Sequence, residues 1–190
     1  ITDDLQSLTQ FTVQFPKSKV NNESGNDVDN ESNNDVDNEI EDNADSSPYL
    51  SLYSTVSLND AAKAQHYFPI EAMGQDVYDY LKPTLKKGSI TDAQILWNGR
   101  FSDYPFENNE GVFQAFVPVK DAEYDFFEEW QGLHDLDLTL LFENDTLFME
   151  SDKGKLGDIN ITKLSAKIDL LTEDGILTID TDISENAQSV

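Results

Sequence analysis

A chain of 190 residues with 38% hydrophobic and 11% aromatic side chains has the apolar material for one folded body, yet 38 acidic against 12 basic residues leave a formal charge of −26. A surface this negative repels phosphate backbones and anionic headgroups, which argues against a nucleic-acid binder and against peripheral docking on anionic lipid. The absence of cysteine excludes a disulfide scaffold and a thiolate metal site, and no stretch approaches the roughly 18 apolar residues of a membrane span.

The chain opens ITDDLQSL, on Ile rather than Met, without the basic start or apolar run of a signal peptide, and so reads as an internal fragment whose targeting information lies elsewhere. In the N-terminal segment, residues 1–20, Phe11, Val13 and Phe15 alternate with Thr12 and Gln14, predicting a short half-buried strand stopped by Pro16. An acidic linker follows over residues 21–47. Ten Asp or Glu and no Lys or Arg lie between Asn22 and Asp45, so the remainder of the chain carries 28 acidic against 12 basic side chains. The linker holds a tandem eight-residue repeat, NESGNDVD then NESNNDVD, and a degenerate third copy, with too little apolar area to offset its ordering entropy. Asp27, Asp29 and Glu31, or Asp35, Asp37 and Glu39, alternate like calcium ligands, but the turn glycine of an EF-hand loop is missing at the sixth position.

Residues 48–190 form the predicted body. Leu50, Leu52, Val56 and Leu58 make a second strand, and Asn59 or Asp60 can cap a short helix through Ala61, Ala62 and Ala64. Met73, Val77, Tyr80, Leu81 and Leu85 recur at helical steps, with Gly88 as the stop, so a helical insert is expected at about residues 60–87. From residue 90 the period falls to two. Ala93, Ile95, Trp97 and Phe101 alternate with polar residues, then Phe113, Ala115, Val117 and Val119, then Leu136, Leu138, Leu140 and Phe142, then Leu147 and Met149. Ile159 and Ile161 give way to Leu164, Ala166, Ile168 and Leu170, a change of parity that predicts a bulge near Thr162 or Lys163. Leu177, Ile179 and Ile183 close the series. Short connections at Glu143 to Thr146 and Thr172 to Gly175 predict hairpins and an antiparallel meander.

The fold class is therefore mainly β, an antiparallel sheet whose strands are apolar on one face only, since strands of a doubly covered parallel sheet read as continuous apolar runs. Periodicity leaves the cover of that face open between a second sheet, the helix and an apolar ligand. No catalytic constellation stands out: His66 and His134 lack metal-ligand spacing, and Asp135 and Asp137 beside His134 are ordinary neighbours in so acidic a chain. Glu128, Glu129 and Trp130 hold the residue types of a sugar-cleaving site, but a loop with Trp130 packed on the sheet accounts for them as well. No cofactor and no metal is implied.

The stretch GSITDAQILWNGRFSDYPFENNEGVFQAFVPVKDAEYDFFEEWQGLHDLDLTLLFENDTLFMES, with the lead-in LNDAAKAQHYFP, resembles the YhdP group of AsmA-like proteins of Gram-negative bacteria. The shared features are a helix ending in YL then Gly, an apolar-Trp-x-Gly strand centre, a Tyr/Pro/Phe turn, an FQAxV strand, a Trp-containing loop and an LxLxFEN strand followed by LxM. The resemblance covers about Leu58 to Val190 and leaves the acidic repeat outside as an insertion. It implies a section of a curved β-groove in a periplasmic protein anchored in the inner membrane, moving phospholipid toward the outer membrane and affecting its permeability. It implies no catalytic residues. The partners implied are phospholipid acyl chains and neighbouring sections of the same full-length protein, with membrane contact only through parts outside this fragment. On that reading Ile95, Trp97, Phe113, Val117, Leu138, Leu140, Leu147, Met149, Ile168 and Ile179 line the groove. The rival readings are a β-sandwich binding module for carbohydrate or a partner protein, and a hydrolase using Glu128 or Glu129.

Overall fold

The computed structural model describes residues 4–16, 47–68, 75–125, 131–169 and 176–184. The calcium-like positions of the acidic repeat, Glu128 to Trp130 and the turn at 172–175 fall outside them. Among the described residues nine strands make one antiparallel sheet: β1 (Leu5–Gln14), β2 (Tyr49–Leu58), β3 (Leu85–Arg100), β4 (Val112–Tyr124), β5 (Leu133–Glu143), β6 (Thr146–Ser151), β7 (Gly154–Leu156), β8 (Ile159–Asp169) and β9 (Thr178–Ser184). Each strand pairs with the next in the chain, except that β6 and β7 are two halves of one rung. Both lie between β5 and β8, interrupted at Asp152 and Lys153. At this break the buried Ser151 hydroxyl is shared between the carbonyls of Asp137 and Lys153 at 2.9 and 2.7 Å, which satisfies groups that the ladder leaves.

The sheet is curved. Its inner face holds the core, from Leu58 and Ile90 through Val119 and Leu138 to Leu147, Met149 and Leu164. All described strands belong to this sheet, so among the described residues there is no second sheet of the sandwich that periodicity allowed. One end of the inner face is covered by the helical insert, a 3₁₀ turn at Ala61–Tyr67 and helix α1 (Gln75–Leu81). Asp60 is the cap of the 3₁₀ turn, accepting from the Ala62 N–H at 3.2 Å, and Ala61 and Leu81 join the core.

Three expectations are corrected by pairing across the sheet. The helix expected to run through Leu85 to a stop at Gly88 ends at Leu81, because Leu85 pairs with Tyr124 and the Asp125 N–H donates to the Thr84 carbonyl at 2.8 Å. Gly88 lies within β3 at φ 132°, where a Cβ would stand 2.7 Å from a Val119 methyl. The first strand spans ten residues rather than five, and it is exposed rather than half-buried, with Phe11 66% accessible at the edge of the sheet. Finally, the strands are not apolar on one face only: Leu96, Phe116, Leu141 and Phe148 point to the outer face, because apolar doublets such as IleLeu, AlaPhe and LeuPhe load both parities.

The bulge expected near Thr162 is present, as a register shift between Ile161 and Lys163. It is one of a band. Shifts also fall between Ile90 and Gln94 on β3 and between Val119 and Ala122 on β4, while Asp92, Asp121 and Asp135 on β3, β4 and β5 have φ of 53°, 50° and 57°. Asp tolerates this left-handed conformation better than most residues, and a bulge bends its strand and increases the local twist. Repeated at about the same level from β3 to β8, the bulges bend the sheet along a line across the strands.

Candidate functional site

Strand register sets the inner face row by row. Phe11 pairs with Leu52, Leu52 with Trp97, and Trp97 with Phe113. The next row runs from Thr9 and Ser54 through Ile95, Ala115, Phe142 and Leu147 to Ile168, and a third runs from Val117 through Leu140, Met149 and Ala166 to Ile179. Val119, Leu138, Ser151 and Leu164 form a fourth. All ten residues nominated from the sequence thus lie on one face, and Phe113, Leu140 and Ile168 share it.

Their exposure is graded. Trp97, Leu138, Leu140, Leu147, Met149 and Ile168 are buried, whereas Ile95, Phe113, Val117 and Ile179 are half-buried. Leu147 and Met149 have no accessible surface, so over β6 the inner face is filled by its own side chains. Over β1 and β2 it is open: Phe11 and Val13 are exposed and Leu52 half-buried. Phe11 and Leu52 continue the Trp97 row to the edge, and alternation alone gave no reason to join them to residues 45 positions later.

The far end from the helical insert is closed by a loop that sequence reasoning read only as turn formers. Trp97 sits with its ring centroid 5.0 Å from Phe101, 5.4 Å from Tyr104, 5.3 Å from Phe106 and 5.8 Å from Phe113. Such offset and edge contacts add to the burial of each ring. Gly99 and Gly111 make room for the cluster, since a Cβ on either would lie 2.5 Å from the Phe106 ring. The Tyr104 hydroxyl donates to the Asn144 carbonyl at 2.8 Å, and the Asn144 side chain accepts from the Phe113 N–H at 2.9 Å. The signal was available in the spacing of Phe101, Tyr104, Phe106 and Phe113 around two glycines.

Charge is kept to the other side. Asp137 lies between Lys120 at 3.0 Å and Lys153 at 3.3 Å, and the Lys120 hydrogen bond, with that from Lys153, holds its carboxyl below the usual carboxylate range. Lys155 and then His134 do the same for Asp135. These groups are exposed or half-buried, and they pair with one another across neighbouring strands. His134 Nε2 is 3.2 Å from the Gly157 carbonyl, whereas His66 is in the 3₁₀ turn, so the two histidines serve different neighbourhoods. Among the described residues no group of three His, Asp or Glu is placed to hold a metal ion, and no described helix is long and apolar enough to cross a membrane.

One curved antiparallel sheet with a predominantly apolar inner face fits the β-groove class. A family model described as YhdP protein matches residues 11–190, and the chain belongs to that family. The match begins well before Leu58, where the resemblance in sequence was seen to start. Among curated proteins, the "Intermembrane phospholipid transporter YhdP" of Escherichia coli (strain K12) is 33% identical over 147 residues, 77% of this chain. That stretch is 12% of the relative, so the chain spans about an eighth of its length. No solved structure matches the chain significantly.

Proposed function

We propose that the chain is a non-enzymatic section of a lipid conduit: part of a periplasmic protein, anchored in the inner membrane by regions outside this sequence, that conducts phospholipid toward the outer membrane and affects its permeability. The observation that carries this reading is the predominantly apolar inner face, on which the only polar side chains of the four rows, Thr9, Ser54 and Ser151, are taken up in hydrogen bonds of the sheet itself and leave no charged group to fix a ligand in one place. Acyl chains crossing water need such a surface, and their burial is favourable by roughly 25 cal/mol per Å² with little demand on any one side chain. A moving lipid is best served by affinity spread along its path. The named function of the E. coli relative supports the same reading.

Within the face, the acyl path runs over the half-buried Ile95, Phe113, Val117 and Ile179 and the open Phe11 and Leu52, while buried Leu138, Leu140, Leu147, Met149 and Ile168 form the floor, and Trp97 the anchor of its aromatic end. Neighbouring sections of the full-length protein would pair with β1 and β9, the outer strands among the described residues, extending the face. The test replaces Ile95 and Val117 by Asp and measures phospholipid retained on purification by extraction and mass spectrometry. The wild-type chain should retain lipid and the folded double variant should lose most of it. Equal lipid on a folded variant would sink the assignment.

A further inference from the structure

The outer face should be wet, and over five strands it is not. Tyr53 on β2 pairs with Leu96 on β3, Phe116 on β4 pairs with Leu141 on β5, and Leu141 pairs with Phe148 on β6. Leu96 is two residues along β3 from Gln94, the partner of Phe116, so these side chains form one stripe running diagonally across the strands. Tyr53, Leu96 and Phe116 are 45%, 36% and 42% accessible, and Leu141 and Phe148 are half-buried. None contributes to the core on the inner face.

At its β5–β6 end the stripe has carboxylates on both sides, in rows that continue past it to β8 and β9, whereas the rows flanking Tyr53 and Leu96 are uncharged. One flanking row carries Glu143 and Asp169, and the other carries Glu150 and Asp180. At its end Lys167 already lies over the Phe148 ring, 5.8 Å from the centroid, and 3.3 Å from Asp169. A cation on an aromatic floor beside a carboxylate is therefore an arrangement that this surface makes with its own chain.

We propose that the stripe is a docking site for a partner protein, specifically for an amphipathic helix with an aliphatic seam bordered by Lys or Arg. The dimensions fit. Five strands at about 4.8 Å spacing span about 19 Å, the length of about 13 helical residues, or between three and four turns. Charge selects among other occupants: a second copy brings another −26, and the chain's own Asn22 to Asp45 segment brings ten acidic and no basic residues. Both are repelled by the carboxylate border, as is an anionic membrane. Because the stripe faces away from the lipid path, this proposal stands or falls separately from the conduit.

The probe is a synthetic helical peptide of about 14 residues, with Leu at helical seam positions and Lys beside them, titrated against the purified chain by calorimetry at about 0.15 M salt. It should bind at least tenfold more tightly than a scrambled peptide of identical composition. The Phe116→Ser/Phe148→Ser variant should lose that preference while retaining lipid as the wild type does. If that variant does not fold, Phe116→Gln alone, at an exposed position, should weaken seam-peptide binding severalfold. The proposal is overturned if the scrambled peptide binds equally, which would leave only non-specific attraction to a −26 chain. It is equally overturned if folded variants bind like the wild type, or if the stripe instead mediates a concentration-dependent dimer or binding to phosphatidylglycerol vesicles that the substitutions abolish.

Discussion

At Tyr104 a single hydroxyl ties the aromatic loop to the β5–β6 hairpin, since it donates to the Asn144 carbonyl while Asn144 is itself bonded to both backbone groups of Phe113. Burial, and then the nearby Asp145 charge, push this phenol up to about 12. The folded state therefore holds the Tyr104 proton more tightly than the unfolded chain, whose tyrosines titrate near about 10. The stabilisation is complete below about pH 10 and is lost as pH rises from about 10 toward about 12. Thermal midpoints should fall over that window in the wild type, and Tyr104→Phe should show a shallower fall. At neutral pH the same variant should be less stable by about 0.5–1.5 kcal/mol through the lost hydrogen bond. Identical alkaline profiles would show that Tyr104 does not titrate with unfolding.

The elements are set by a pattern that is mostly written in the sequence but not always where alternation looks for it. Strand identity, the Asp60 cap and the Glu143–Thr146 hairpin follow from period two and turn chemistry. The bulge band was legible too, as one step of three among inward residues in each strand: Ile90 to Ala93, Val119 to Ala122, Leu133 to Leu136, and Ile161 to Leu164. Read singly in the sequence, only the last stands out as a change of parity. The helix end at Leu81 and the outer stripe were not legible, because both depend on which residues pair across the sheet. In the band, Asp121 has no bridging role that would mask its backbone, and its φ is 50°. Asp121→Val should cost about 1–2 kcal/mol because a β-branched residue resists the left-handed region, whereas Asp121→Gly should change stability by less. Urea midpoints for the pair would decide it, and equal losses would mean that the bulge does not require this conformation.

For the whole molecule, electrostatics and the hydrophobic face pull apart. The inner face and the aromatic end supply cohesion, while 38 acidic side chains against 12 basic ones repel one another over the surface. The described ion pairs, such as Lys63–Asp4 at 2.8 Å and Lys120–Asp137 at 3.0 Å, are mainly exposed, and pairs of this kind contribute about 0–1 kcal/mol each. Salt weakens both terms, so the sign of its effect reports which is larger. Twenty-six uncompensated charges act at ranges that attractive pairs at contact do not, and screening shortens from about 30 Å at 0.01 M to about 8 Å at 0.15 M. The repulsion should be relieved more than the pairs are weakened. Thermal stability should therefore rise with sodium chloride over this interval and level off above it, where the remaining interactions lie within the screening length. A fall in stability with salt would mean that the Lys–Asp ladder on the outer face outweighs the net charge, and that the sheet is held by its exterior as much as by its apolar interior.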